Sequence, residues 1–198
     1  RDQAAHHWER YCGRQLRGTT VGIVGLGRIG REVARSCRAL GMRVVATKRT
    51  VSSELDPDVD QMVPVSELPT LLRAADTLIL CTPRTSQTVG LIGEREIRTL
   101  KRGALLINIA RGAVVDEAAM IAALRDGHLC GAVLDVFAKE PLPSTSPLWD
   151  MPNVIVSSHS ASTADTENAK LTDLFCDNLG RYLRGEPLLN VFDRERFY

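Results

Sequence analysis

Three polar residues stand just after short apolar runs: Arg111 in "NIARGAVVDE", Glu140 in "LDVFAKEP" and His159 in "VSSHSAS". An arginine, a carboxylate and an imidazole form a workable set for reducing a keto acid. The guanidinium binds the substrate carboxylate and polarises its carbonyl. The imidazolium gives the oxygen its proton as hydride arrives, while the carboxylate holds the ring and favours its charged form. Taken singly, Arg111 also fits a strand-end cap, Glu140 a loop charge and His159 a satisfied polar residue near a core. Together they specify more than any one of them alone. His6, His7 and His128 lack such context and read as surface residues.

Such chemistry needs a hydride source, and "VGIVGLGRIG" supplies the signature of one. Gly25, Gly27 and Gly30, with Arg28 and Ile29 between them, satisfy G-x-G-x-x-G after an apolar run and at the mouth of an amphipathic pattern. That context makes the pattern a dinucleotide-binding turn. Small residues let the chain turn tightly and approach a pyrophosphate, and the helix N-terminus offers N–H groups with a partial positive charge. In this pattern an acidic residue about 20 positions on usually accepts the ribose hydroxyls of NAD. Here the stretch "VVATKRT" puts Lys48 and Arg49 in that place. A carboxylate repels a 2′-phosphate and a cation pair attracts it, so the sequence favours NADP(H) over NAD(H). The competing reading is an ordinary pair of solvated loop cations.

The elements that must position these groups alternate along the chain, strand then helix, as in βαβ units around a parallel sheet. Strands are predicted at residues 20–24, 43–47, 77–81, 104–109, 131–136 and 154–157. "RIGREVARSCRAL" places Ile29, Val33, Cys37 and Leu40 on one helical face. "VSELPTLLRAA" starts on a Ser66 N-cap, and "DEAAMIAALRDG" ends on a Gly127 C-terminal cap. The longest helix is the last, with an apolar stripe of Leu171, Leu174, Phe175, Leu179, Tyr182 and Leu183 that ends at Gly185 and Pro187 and needs a surface to lie on. "EPLPSTSPLWDMP" reads as a surface loop. In a parallel sheet ligands collect beyond the carboxyl ends of the strands, which lets Arg111, Glu140 and His159 converge on one crevice.

At 198 residues the chain suits one well-buried domain. With 25 Lys+Arg against 24 Asp+Glu its net charge is +1, which gives no reason to expect a nucleic-acid or acidic-membrane partner. The cysteines (Cys12, Cys37, Cys81, Cys130 and Cys176) have no metal-finger spacing and read as reduced thiols, mostly in buried segments, which favours a cytoplasmic compartment. No metal site is expected. No apolar run reaches the length of a membrane helix, and the first ten residues contain no signal-like apolar region.

The stretches "GIVGLGRIGREVA", "INIARGAVVDE", "GAVLDVFAKEPLP", "SPLWDMPNVIVSSH" and "NLGRYLRGEPLLNV" resemble, in order, the nucleotide-binding domain of D-isomer-specific 2-hydroxyacid dehydrogenases, glyoxylate and hydroxypyruvate reductases among them. The resemblance implies an α/β fold of the Rossmann kind, a doubly wound parallel sheet with flanking helices, in a single nucleotide-binding domain lacking most of the substrate domain. It implies a crossover helix and linker over residues 1–16, the dinucleotide-binding domain over 17–164, and a long helix and tail over 165–198 that returns to the substrate domain. Arg111 then matches the substrate-binding arginine, Glu140 the His-pairing acid and His159 the proton donor. Asp135 matches the residue that meets the nicotinamide carboxamide, and Thr82, Pro83, Ile109, Ala110 and Ser162 match other cofactor-lining positions. The implied partners are a small 2-keto or 2-hydroxy acid and a second copy of the chain, with Trp8 on the crossover helix near that interface.

Two departures stand out. The family usually has Pro before the His and "IAG" after it, where this chain has Ser158 and "SAS". Family members also carry about a hundred more N-terminal residues, so the resemblance implies a piece that binds dinucleotide and reduces glyoxylate or hydroxypyruvate poorly by itself. The alternative of another class is a dinucleotide-sensing, corepressor-like protein without significant turnover. Formate dehydrogenases resemble a pattern with Gln where Glu140 stands, and a methyltransferase leaves the ordered Arg111, Glu140 and His159 unexplained.

Overall fold

In the computed structural model, residues 3–49 and 56–193 are described, so Thr50, the last residue of "VVATKRT", lies outside them. Seven strands form one parallel sheet: β1 (Thr20–Val24), β2 (Arg43–Lys48), β3 (Gln61–Pro64), β4 (Thr77–Leu80), β5 (Ala104–Asn108), β6 (Leu129–Leu134) and β7 (Val154–Val156). Their spatial order is β3-β2-β1-β4-β5-β6-β7, so the winding reverses between β1 and β4. All six pairings are parallel. This is the doubly wound order whose crevice opens beyond the carboxyl ends of the strands at the reversal.

The strands are apolar because both faces of the sheet are covered. On one face α2 (Leu68–Ala74), α3 (Glu94–Thr99) and α4 (Glu117–Arg125) pack Leu71, Leu72, Ile97 and Leu124 against Val45, Leu78, Leu80 and Leu106. On the other, α1 (Arg28–Ala39) sets Ala34 and Cys37 against Val21, Ile23, Val44 and Ala46. The buried face of α1 is therefore Gly30, Ala34 and Cys37. The predicted stripe is rotated: Ile29 is 58% exposed and Leu40 is 53% exposed. Apolar periodicity counted the large residues, whereas the contact with β1 selects small ones that let the helix come close.

Other expectations are corrected in the same way. Edge strand β3 escaped prediction because it holds Gln61 and ends in Pro64, both unusual in a central strand. Pro64 lies opposite Lys48 in the ladder. A 3₁₀ turn over Val65–Glu67 precedes α2, so Glu67, not Ser66, is the N-cap residue. Gly127 takes the left-handed conformation just past α4, as expected of a helix stop. "EPLPSTSPLWDMP" is not wholly surface, because a 3₁₀ turn at Pro147–Trp149 buries Leu148 and the following loop buries Met151. His128 is half-buried, its Nε2 2.9 Å from the Ile97 carbonyl. Cys37 is buried and Cys81 half-buried, but Cys12, Cys130 and Cys176 are exposed.

Among the described residues the crossover helix is absent: residues 3–6 form a turn, 7–16 have no regular structure, and all are exposed, including Trp8 at 92%. A segment this short is not helical without a surface to pack on. The last helix, α5 (Glu167–Arg184), is the longest, and Gly185 closes it in the left-handed conformation. It has no buried residue. Its tail is tied by the Asn178 side chain, which bonds both the Leu189 carbonyl (3.1 Å) and the Leu189 N–H (2.8 Å). Asn190 then accepts from Arg28 at the start of α1. Among the described residues no helix is long and apolar enough to cross a membrane.

Candidate active site

The glycine turn leaves the carboxyl end of β1, and its three glycines have three different reasons. Gly25 has φ of +100°, and a Cβ there would meet the Thr82 backbone N at 3.0 Å. At Gly30 a Cβ would sit 2.2 Å from the Gly25 carbonyl oxygen, so this glycine lets α1 close onto the turn. Gly27 meets nothing within 4 Å and has no unusual φ. Among the described residues its lack of a side chain serves no contact, and it leaves open the N-terminus of α1, the kind of place that suits a pyrophosphate.

Two further observations fit a dinucleotide at this turn. Among the described residues the buried Thr82 Oγ1 has no hydrogen-bond partner, and Thr82 lies against Gly25 at the end of β4. Thr47, almost fully buried, accepts the Gly25 N–H on its hydroxyl (3.2 Å) and the Leu26 N–H on its carbonyl (3.0 Å). It thereby braces the turn from β2. Lys48, the last residue of β2, is half-buried and Arg49 exposed, one strand over from the glycines. Pro83 is exposed beyond β4, with its carbonyl accepting the Thr88 hydroxyl at 2.7 Å.

A paired substitution separates the roles of these glycines. Gly27→Ala is expected to weaken dinucleotide binding at least about tenfold while costing less than about 1 kcal/mol of stability, because only the N-cap preference is lost. Gly30→Ala is expected to lower the melting temperature. Calorimetric titration and thermal unfolding of both variants check the contrast.

The second half of the crevice is built from the ends of β5, β6 and β7. Asn108, 2% exposed at the end of β5, accepts the Ala110 N–H (3.0 Å) and donates to the Arg111 carbonyl (3.1 Å). This bracket shapes the turn of Ile109 and Ala110 that presents Arg111. The Arg111 Nη1 donates to the Ala110 carbonyl at 2.6 Å. Beyond β6, Glu140 accepts the Phe137 N–H on Oε1 (2.9 Å), and its Oε2 lies 2.7 Å from His159 Nδ1. Burial alone would push the Glu140 carboxyl up. Hydrogen bonds from His159 and the Phe137 N–H, with the charges of His159 and Arg111, hold it below its ordinary value.

That shift has a sign. A depressed carboxyl stabilises the fold above its unfolded value and loses that contribution as the pH falls through the folded one. Glu140→Gln is therefore expected to be less stable than the parent near pH 7, with a smaller gap at about pH 4. Urea unfolding at the two pH values measures the difference.

Asp135 follows β6 directly and is 5% exposed. Its Oδ1 accepts the Ser160 N–H (2.9 Å) and its Oδ2 the Ala161 N–H (3.1 Å). Burial works against its charge, but the Ser157 hydroxyl, these two amides and the charge of His159 keep the carboxyl below its ordinary range. Ser162 is exposed one residue past this turn. Burial pushes the Cys81 thiol at the end of β4 up to about 12, with the nearby Cys37 adding to it. That makes Cys81 a poor nucleophile.

Arg111, Glu140 and His159 thus leave three adjacent strand ends, and Glu140 is paired with His159. Thr47 and Asn108 escaped the sequence reading. Each is a polar residue closing an apolar strand just before a turn of interest, and that placement was their only signal.

Residues 1–161 match the model of the D-isomer specific 2-hydroxyacid dehydrogenase NAD binding domain. A glyoxylate reductase from Korarchaeum cryptofilum is 36% identical over 194 residues, 98% of this chain and 58% of the relative. A D-isomer specific 2-hydroxyacid dehydrogenase from Xanthobacter autotrophicus, solved with NADPH and MES, is 39% identical with a TM-score of 0.88, over 100% of this chain and 80% of that one. An NADPH-dependent glyoxylate/hydroxypyruvate reductase from Sinorhizobium meliloti, solved with NADP and sulfate, is 31% identical with a TM-score of 0.89, over 100% and 62%. The curated relatives are longer, and the chain spans as little as 35% of one of them, a D-3-phosphoglycerate dehydrogenase from Archaeoglobus fulgidus.

Proposed function

The chain belongs to the D-isomer specific 2-hydroxyacid dehydrogenases through their NAD binding domain, and from that premise we propose that it serves the reduction of a small 2-keto acid with NADPH as the preferred cofactor. The observation that carries the reading is the 2.7 Å pair of His159 and Glu140, one strand end over from Arg111, in a sheet whose glycine turn stays open at Gly27.

The glycine turn would hold the pyrophosphate, and Thr82, Pro83, Ile109, Ala110, Asp135 and Ser162 would line the rest of the dinucleotide. When bound, the reduced nicotinamide supplies the hydride. Arg111 binds the substrate carboxylate and draws charge from the carbonyl, and His159 gives the carbonyl oxygen its proton. Glu140 holds Nδ1, which leaves Nε2 as the donating atom. The proton given by His159, with the hydride at the carbonyl carbon, would complete the 2-hydroxy acid.

Lys48 and Arg49 support the choice of NADPH, since each is a charge-assisted donor at the end of β2 where the adenosine ribose lies in this fold. Replacing both, as Lys48→Asp with Arg49→Ala, is expected to weaken NADPH about 100-fold and NADH less than about threefold, from the usual strength of hydrogen bonds to charged groups. Equal affinities of the parent chain for the two cofactors, unchanged by the substitutions, would remove the case for 2′-phosphate recognition. The exposed Trp8 and Tyr11, at 92% and 84%, support a further reading of the N-terminal arm as part of a homodimer contact. A sedimentation velocity run that finds only monomer at micromolar concentration overturns it. The unpaired thiols fit a cytoplasmic location.

A further inference from the structure

We infer that Asp135 is the positioning residue of His159, clamping the turn after it so that the imidazole meets Glu140; this rests on the reductase reading above. His159 has φ of 54°, a left-handed conformation uncommon for residues with a Cβ, although His is among those that adopt it most. The intrinsic backbone preferences of its neighbours do not impose it. Ser158 precedes it and Ser160 follows, and neither has the fixed φ of proline nor the freedom of glycine.

The strongest ties come from outside the turn. Before the turn, the Ser157 N–H donates to the Leu134 carbonyl at 2.8 Å, the last hydrogen bond of the β6–β7 ladder. After it, the Ser160 and Ala161 N–H groups each take one oxygen of Asp135. Asp135 is itself fixed, because it is buried immediately past β6 and its own N–H donates to the Asn108 carbonyl at 3.1 Å. The Ser157 and Ser160 hydroxyls lie 3.2 Å apart and close the turn across His159. A carboxylate suits this task because it only accepts, and two parallel N–H donors need two acceptors. Asparagine has one acceptor and would turn an N–H₂ group toward the second donor.

Proton NMR of the chain without cofactor or keto acid tests the clamp independently of the reductase reading, since neither ligand is in the sample. In the native chain the Ser160 and Ala161 amides are expected to exchange at least about tenfold slower than unprotected amides, as hydrogen-bonded groups do. In Asp135→Asn at least one of them is expected to exchange about tenfold faster, and the His159 Nδ1–H signal, sheltered by Glu140, is expected to vanish into water exchange. The His128 ring signal reports whether the rest of the fold is intact.

A His159 Nδ1–H signal unchanged in Asp135→Asn overturns the inference. Native Ser160 and Ala161 amides exchanging at the unprotected rate overturn it as well, and that measurement decides the matter if the variant fails to fold.

Discussion

Replacing Gly112 with Ala is expected to lower the melting temperature by about 6–12 °C, from an overpacking cost near 3 kcal/mol in a domain of this size. A Cβ at this position would stand 1.9 Å from the carbonyl carbon and oxygen of Phe137 and 2.5 Å from the Ala138 nitrogen. These are backbone atoms, so no rotamer change relieves the clash. Gly112 is the residue after Arg111, and Phe137 gives Glu140 its N–H, so the collision wedges apart the two turns that carry the candidate substrate anchor and the acid. Gly13→Ala, at a glycine with nothing within 4 Å and no unusual φ, is the control and is expected to leave the melting temperature within about 2 °C. Differential scanning calorimetry of the two variants decides it. A Gly112→Ala protein as stable as the parent would mean that the two turns are less tightly apposed than described.

The second expectation concerns chemistry. His159→Gln is expected to reduce kcat/KM for glyoxylate or hydroxypyruvate with NADPH by about 10²–10⁴-fold, the usual worth of a positioned general acid. NADPH binding should stay unchanged. Glutamine keeps a polar side chain that reaches toward Glu140 but offers no proton of suitable acidity, so the loss belongs to proton transfer and not to packing. The measurement needs a form of the protein that turns over; there, steady-state rates and a cofactor titration separate the two effects. A variant that retains more than about a tenth of the parent activity would take His159 out of the acid role.

What the sequence disclosed, and what it hid, divides along physical lines. The order of strands and helices was legible because buried parallel strands are short and apolar, and because Gly127 and Gly185 mark helix ends by their left-handed conformations. Edge strand β3 was hidden because an edge tolerates Gln61 and Pro64. The inward face of α1 was misjudged because closeness to β1, not apolarity, chose Gly30, Ala34 and Cys37. The N-terminal helix was expected from resemblance alone, and residues 7–16, all exposed, do not form it.

The site divides likewise. Arg111, Glu140 and His159 were legible as charged or titratable groups after apolar runs, and their shared crevice follows from strands that all point one way. Asn108 and Thr47 were not, since a single amide or hydroxyl inside "LLINIA" or "VVATK" has no period to betray it. Asp135 was singled out as a cofactor neighbour, while its two amide bonds to the His159 turn depend on how β7 runs beside β6, which no local pattern contains.

Pro64 lies opposite Lys48 and has no N–H to give. The ladder between β2 and β3 therefore stops at Lys48, and Arg49 already lies beyond the strand. From Val44 to Thr47 a change of side chain is a change of core; at Arg49 it is a change of surface. The proposed cofactor preference would thus sit just past a border drawn by one imino acid, where an exposed side chain can change with little effect on stability.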